Sequence, residues 1–135
     1  MAKSTGLGQT ALSIDDAGGV AKDIRNDITN WQMATPRGVQ EVTGVDKSAI
    51  ERLLLLADAS ITVNGVHNPA TGRQHDVFKT VPSTSVQRTV TNTINGVTLA
   101  CEMLFSDYQM TRADSGELTW SAPGALADGT VPTWA

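Results

Sequence analysis

The side chains best suited to chemistry in this chain are two histidines, His67 and His75, and a single cysteine, Cys101. Paired imidazoles hold a divalent metal when thiolates or carboxylates complete the ligand set. No Asp, Glu or Cys is spaced with His67 and His75 as such a set, so they read as surface or packing residues, and no metal or cofactor is expected. Asp15, Asp16, Asp23 and Asp27 lie close in sequence but lack the spacing of a calcium loop. They read as turn-forming or solvated carboxylates. A nucleophilic serine needs a positioned base and an oxyanion site, and no Ser here sits in a G-x-S-x-G elbow. Cys101 alone excludes an internal disulfide framework or a multi-cysteine zinc site. It lies in an apolar-alternating run and reads as a small buried hydrophobe. No catalytic constellation emerges, and the chain is not expected to be an enzyme.

The strongest structural signal is Val86–Phe105, two alternating runs joined by Asn95-Gly96. Asn-Gly between β-branched runs specifies a two-residue hairpin loop, because both residues tolerate φ > 0. The turn sets the register, placing Ile94 opposite Val97, Val90 opposite Cys101, Arg88 opposite Met103 and Val86 opposite Phe105. That face is mostly apolar, although Asn92, opposite Leu99, also lies on it. The other face pairs Thr93 with Thr98, Thr91 with Ala100 and Thr89 with Glu102, and it is mostly polar. One buried and one wet face describe an antiparallel sheet over a core.

Composition agrees. At 135 residues the chain is one domain, able to bury a core. Thr and Val are abundant, aromatics make up only 4%, and helix formers concentrate in one block. A mainly β fold is expected. Net charge is −4 and no Lys/Arg cluster exists, which argues against a surface that grips phosphates. Like-charge repulsion from a mildly acidic surface lets nucleic acid pass without sticking. The N-terminus carries no apolar run resembling a signal peptide, and no segment has the roughly 18 apolar residues that span a membrane. A soluble protein made in a cytoplasm is expected.

Taken in order, Met1–Gly8 reads as a small, polar arm. Gln9–Ile14 predicts a first strand with Leu12 and Ile14 on one face, followed by the Asp15–Gly19 turn. Val20–Ile24 and Ile28–Met33 are extended, with Trp31 and Met33 on one side. Ala34–Val45 has no period and reads as a long excursion, either partner-contacting or mobile. In Asp46–Ala57, Ser48 with Glu51 fits a capping box, and Ile50, Leu53, Leu54 and Ala57 share a helical face. A helix is expected there, a buried strand being the alternative, and the surplus leucines suit a subunit interface. Ala59–Val66 predicts a strand with Ile61 and Val63 inward, its Asn64-Gly65 being a second hairpin turn or a bulge. His75–Val81 suits a short helix ended by Pro82. Tyr108–Arg112 and Glu117–Ala122 form a further hairpin, completing a four-strand meander in which Leu118, Trp120 and Ala122 share a face. The tail carries Trp134, which is costly to leave in water, so it folds back or docks on a neighbour.

The succession TALSIDDAGGVAKDIRNDITNWQM, TGVDKSAIERLLLLADASITVNGV, HDVFKTVPSTSVQRTVTNTINGVTLACEMLFSDYQMTRADSGELTWSAPG and LADGTVPTW covers nearly the whole chain. It resembles the major tail tube proteins of long-tailed, non-contractile bacteriophages, particularly those infecting actinobacteria. The resemblance implies an antiparallel β-sandwich with one or two short flanking helices, a long inter-strand loop and terminal arms. It also implies self-assembly into stacked hexameric rings, a conduit for genome delivery. One sheet of each subunit would join its neighbours' sheets around a lumen carrying double-stranded DNA without specific binding. Mapped onto this chain, the long loop is 34–57 and the arms are 1–8 and 123–135. The lumen-facing set is Gln87, Thr89, Thr91, Thr93, Thr98 and Glu102. The subunit interface draws on Arg37, Val39, Gln40, Glu41, Leu53, Leu55, Leu56 and Trp134. Further implied partners are a tail terminator, a tape measure protein and distal tail proteins. The implied location is the virion tail, assembled in the host cytoplasm, with no membrane involved. The Ile50–Leu56 block is more apolar than the family's loop.

Two other classes remain open. A tail terminator or head–tail joining protein shares the sandwich but caps a single ring. A monomeric carbohydrate- or peptide-binding sandwich usually presents aromatic platforms, and this chain has only 3 Trp, 1 Tyr and 2 Phe.

Overall fold

A computed structural model describes residues 3–135. The Asn95-Gly96 hairpin organises it. β7 (Arg88–Ile94) pairs with β8 (Val97–Phe105) in the register the turn dictates, from Ile94 opposite Val97 to Arg88 opposite Met103. Asn95 and Gly96 both take positive φ, at 53° and 80°. The remaining strands are β1 (Ala11–Asp15), β2 (Ala21–Asp23), β3 (Ile28–Ala34), β4 (Arg37–Glu41), β5 (Arg52–Ala57), β6 (Ser60–Val66), β9 (Gln109–Arg112) and β10 (Leu118–Leu126). A 3-10 turn, Arg25–Asp27, and a single α-helix, α1 (Gln74–Phe78), complete the described elements.

One antiparallel sheet runs in the order β2-β1-β7-β8-β10-β6-β3, with β9 also pairing with β10. It curls into two layers. At the open side Trp31 Nε1 of β3 donates to Gln9 Oε1 (2.9 Å), and the Gln9 amide donates in turn to Asn92 Oδ1 of β7. A fully buried amide on an apolar face must find a partner. Asn92 finds one, and so ties the two layers together. Leu12, Ile14, Val90 and Met103 from one layer meet Ile61, Val63, Trp120 and Ala122 from the other in a continuous core. Phe78 of α1 plugs one end, stacked on Tyr108 and packed against Phe105 and Trp120.

Arg88, the one basic residue on the apolar hairpin face, is 1% exposed. Its guanidinium donates to the backbone oxygens of Asp15 (3.0 Å) and Val77 (2.8 Å) and to Thr80 Oγ1 (2.9 Å). It therefore clamps the end of α1 to β1, placing a cation where helical carbonyls are free.

Three sequence expectations need correction. The Asp46–Ala57 helix does not form. Arg52–Ala57 is instead strand β5, paired with β4 as a separate two-stranded ribbon. A helix there would have had no surface to bury its leucine face against, and helical stability comes mainly from such packing. Pairing with β4 satisfies the backbone instead, and Arg37 adds side-chain donors to Leu55 O at 2.9 and 2.7 Å. The same finding replaces the unpatterned 34–57 loop by an ordered ribbon. Second, the last strands are not a simple meander. β8 meets β10 at Phe105–Gly124 and β9 meets it at Gln109–Ser121, so β8 and β9 lie end to end along one edge of β10. Although Ser106 and Asp107 are turn-forming types, 106–108 adopts no turn, and the chain reverses only at 113–116. Third, β10 continues to Leu126, four residues into the segment read as an arm. Pro123 is tolerated mid-strand because it lies opposite the joint between β8 and β9, where no ladder bond is lost.

At Asn64-Gly65 the bulge alternative holds. Register shifts on β3 between Ile28 and Asn30, opposite Gly65, and a Cβ at Gly65 would lie 1.8 Å from Asp27 O. Residues 1 and 2 of the N-terminal arm lie outside the described residues. Thr5 O accepts a bond from Asn95 Nδ2 (2.7 Å), which attaches the described part of the arm to the hairpin turn.

Candidate functional site

Two exposed surfaces stand out. The first is the outward face of β2, β1, β7 and β8. Register places Ser13 beside Asp23 and Thr91, Ala11 beside Thr93, and Asp15 beside Ala21. Across the hairpin Thr93 faces Thr98, Thr91 faces Ala100 and Thr89 faces Glu102. The hydroxyls bond sideways along the wall: Thr93 Oγ1 to Thr98 Oγ1 at 2.8 Å, and Thr89 Oγ1 to the Glu102 carboxylate. The only charges at these outward positions are the carboxylates of Asp15, Asp23 and Glu102. No Lys or Arg occupies these outward strand positions, and Arg25 from the adjoining 3-10 turn pairs with Asp23 at the edge of the wall (2.9 Å). Thr89, Thr91, Thr93, Thr98 and Glu102 thus share one face, and Gln87 lies exposed just before β7. Ser13, Asp15 and Asp23 were missed, because a pairing such as Ser13 with Thr91 leaves no local signal in the sequence.

The C-terminal segment runs along this wall. β10 stops pairing with β8 at Met103, and the chain continues down the vacated edge. Ala127 N donates to Glu102 O, and Ala135 exchanges two backbone bonds with Thr98, each 2.9 Å. Trp134 is therefore held by a folded-back tail, with part of its ring still in water. Beneath the tail Cys101 is half-buried, and burial pushes its thiol pKa up, with Asp128 and Glu102 adding to the shift. The neutral thiol is favoured.

The second surface is the β4–β5 ribbon. Val39 faces Leu54, Gln40 faces Leu53 and Glu41 faces Arg52, and a bulge near Gly38 leaves Leu55 packed on that glycine. From residue 34 to 56 only Thr43 is not exposed, so the ribbon stands away from the body. Its tip is closed by Glu51 N donating to Thr43 Oγ1 (2.9 Å). Arg37, Val39, Gln40, Glu41, Leu53, Leu55 and Leu56 all lie on it. Sequence reasoning missed Leu54 and Ile50 as surface residues by assigning them to a buried helical face. Val45 at the tip is fully exposed.

The two histidines do converge, at 5.0 Å between ring centroids. Asn68 N–H donates to Gln74 Oε1, which fixes the amide so that Gln74 Nε2 donates to Tyr108 Oη. His75 Nδ1 lies 3.0 Å from the same hydroxyl, and the imidazole tautomer decides which of the two donates. Burial lowers its pKa, with His67 and then Lys79 adding to the effect and Asp76 opposing it. Among the described residues no group of three or more His, Cys, Asp or Glu is arranged to hold a metal ion. The pair works as packing between α1 and the sheet.

No protein family and no curated protein matches the sequence. Solved structures do share the fold. A chain from the tail of an empty gene transfer agent particle, determined with C6 symmetry, superposes with a TM-score of 0.73 at 15% identity, covering 98% of this chain and 99% of that one. A chain of the virion of a native gene transfer agent particle superposes with a TM-score of 0.66 at 16% identity, covering 97% and 99%. The fold is therefore one that a chain in the tail of a gene transfer agent particle also adopts.

Proposed function

We propose that this chain is the repeating structural subunit of a long, non-contractile phage-like tail tube, associating with copies of itself into hexameric rings. The rings stack around a lumen through which double-stranded DNA passes into the host. The observation that carries this reading is the pairing of an exposed apolar ribbon with a hydroxyl-rich wall whose outward strand positions hold no Lys or Arg. Soluble monomers rarely leave such apolar patches in water, and a lone two-stranded ribbon is marginal by itself. Neighbouring copies that cover it resolve both difficulties. The wall suits a conduit: DNA carries a charge about every 1.7 Å, and each Lys or Arg along its path would release counterions and hold it. Hydroxyls and carboxylates offer phosphates no ion pair, so the genome slides. The C6 symmetry of the structurally similar tail supports six copies per ring.

The test is electron microscopy of the concentrated full-length protein, with sedimentation velocity across a concentration series. Six-fold rings or tubes are expected. A monomer at every concentration, and a minor copy number in purified particles, would refute the proposal. Adding charge to the wall as Thr91→Lys with Thr93→Lys should leave assembly intact and make the rings retain DNA at low salt.

A further inference from the structure

At the end of β3 away from the ribbon lies a concave surface that shares only Asp23 with the wall. β3 runs for seven residues, about 20 Å at roughly 3.3 Å per residue, and the ribbon springs from its C-terminal end. At its N-terminal end the two sheet layers gape. A cleft of about 530 Å3 opens there, floored by Leu12, Ile28, Trp31 and Ile94. Gln9 and Arg25 form its lip and also border an adjoining 380 Å3 depression, which Arg73 completes. Arg25 spends its charge on Asp23 (2.9 Å). Arg73 is exposed and forms no ion pair among the described residues.

The ribbon tip has the complementary character. Val45 and Ile50 are exposed apolar groups, flanked by the carboxylates of Asp46 and Glu51. Lys47 lies 3.8 Å from each of these, which leaves one negative charge in excess. Resting on the tail-tube reading, we infer that the cleft receives the ribbon tip of a second copy of this chain. Val45 enters over Ile28 and Trp31, and Glu51 approaches Arg73. Donor and acceptor surfaces differ and lie at opposite ends of β3, so the contact is heterologous. A heterologous contact is not self-limiting at two copies, so repeated head to tail it can carry one ring onto the next.

The test uses the full-length chain with Cys101→Ser, carrying Val45→Cys and Thr29→Cys, both at exposed positions. Mild oxidation of assembled protein should give a ladder of disulfide-linked multimers, and dilute monomer should give none. Arg73→Glu and Glu51→Arg should each weaken assembly about tenfold, as loss of a complementary charge pair does. The double variant should recover most of that loss, with all three melting like the unmodified protein. Assembled particles without cross-links, or single variants that assemble normally, overturn the cleft as the receiving site while the tail-tube reading stands. A disulfide formed within one chain shows the ribbon folding onto its own cleft and also overturns it. An unmodified chain that never assembles removes the tail-tube reading itself.

Discussion

Replacing Leu54 and Leu56 by serine isolates what the ribbon does. Both side chains are exposed in the single chain, at 59% and 89%, so the substitution removes almost no intramolecular packing. Complete burial of a leucine stabilises by about 2 kcal/mol. Scaling by the exposed fractions gives roughly 1 kcal/mol for Leu54 and nearly 2 kcal/mol for Leu56, if a neighbouring copy covers both. The sum, about 3 kcal/mol, corresponds to a loss of roughly 150-fold in the association constant per contact. Sedimentation velocity across a concentration series reads this directly, as a shift of about two decades in the concentration at which rings or tubes appear. Thermal unfolding of dilute protein should change little, by less than about 0.5 kcal/mol, as for ordinary surface positions. Assembly at an unchanged concentration would refute the reasoning, since the leucines would then remain in water in the assembled state. A collapse in melting temperature would refute it differently, by showing that the ribbon belongs to the subunit's own fold.

Three further outcomes follow from the packing. Arg88→Met strands the buried Val77 carbonyl together with the half-buried Asp15 carbonyl and Thr80 hydroxyl, at a cost of about 3 kcal/mol. That lowers Tm by about 10 °C for a domain of this size, whereas a drop of only a degree or two in calorimetry would show the clamp to be dispensable. Gly65→Ala forces a methyl group into the Asp27 carbonyl and the Trp120 ring, and it should cost about 3 kcal/mol or more in denaturant unfolding. Near-neutral stability would mean that the bulge relaxes freely. His75 has a folded-state pKa below its ordinary 6.5, so the unfolded chain takes up the proton first. Stability is then full above pH 6.5 and declines as pH falls below it. His75→Asn keeps an acceptor for Tyr108 and should flatten the Tm slope between pH 7.5 and 5.5. An unchanged slope would place the acid sensitivity elsewhere.

Local patterns carried much of the fold. Asn95-Gly96 specified its hairpin down to each cross-strand pair, because a two-residue turn leaves one register that buries the apolar face. Alternation at Leu12 and Ile14, at Ile61 and Val63, and at Trp120 and Ala122 marked which side chains enter the core. The helical reading of Asp46–Ala57 failed because its periodicity describes a face with nothing in this chain to bury it. There backbone pairing with β4 decided the outcome. The hydroxyl wall was half legible: threonines of one hairpin share a face by register alone, but Ser13 and Asp15 join them only through a pairing about 75 positions away in sequence.

By itself the sequence determined that this is a β-rich, weakly acidic chain built on one hairpin with an apolar and a polar face. Those properties follow from residue type and spacing over short distances, where turn chemistry and side-chain alternation act. Tertiary structure alone decided that the sheet folds over on itself, that Arg88 and Asn92 are buried and hydrogen-bonded, and that the leucine block stands out as a strand-paired ribbon. Each depends on which distant strands become neighbours, and a free-energy balance over the whole domain settles that.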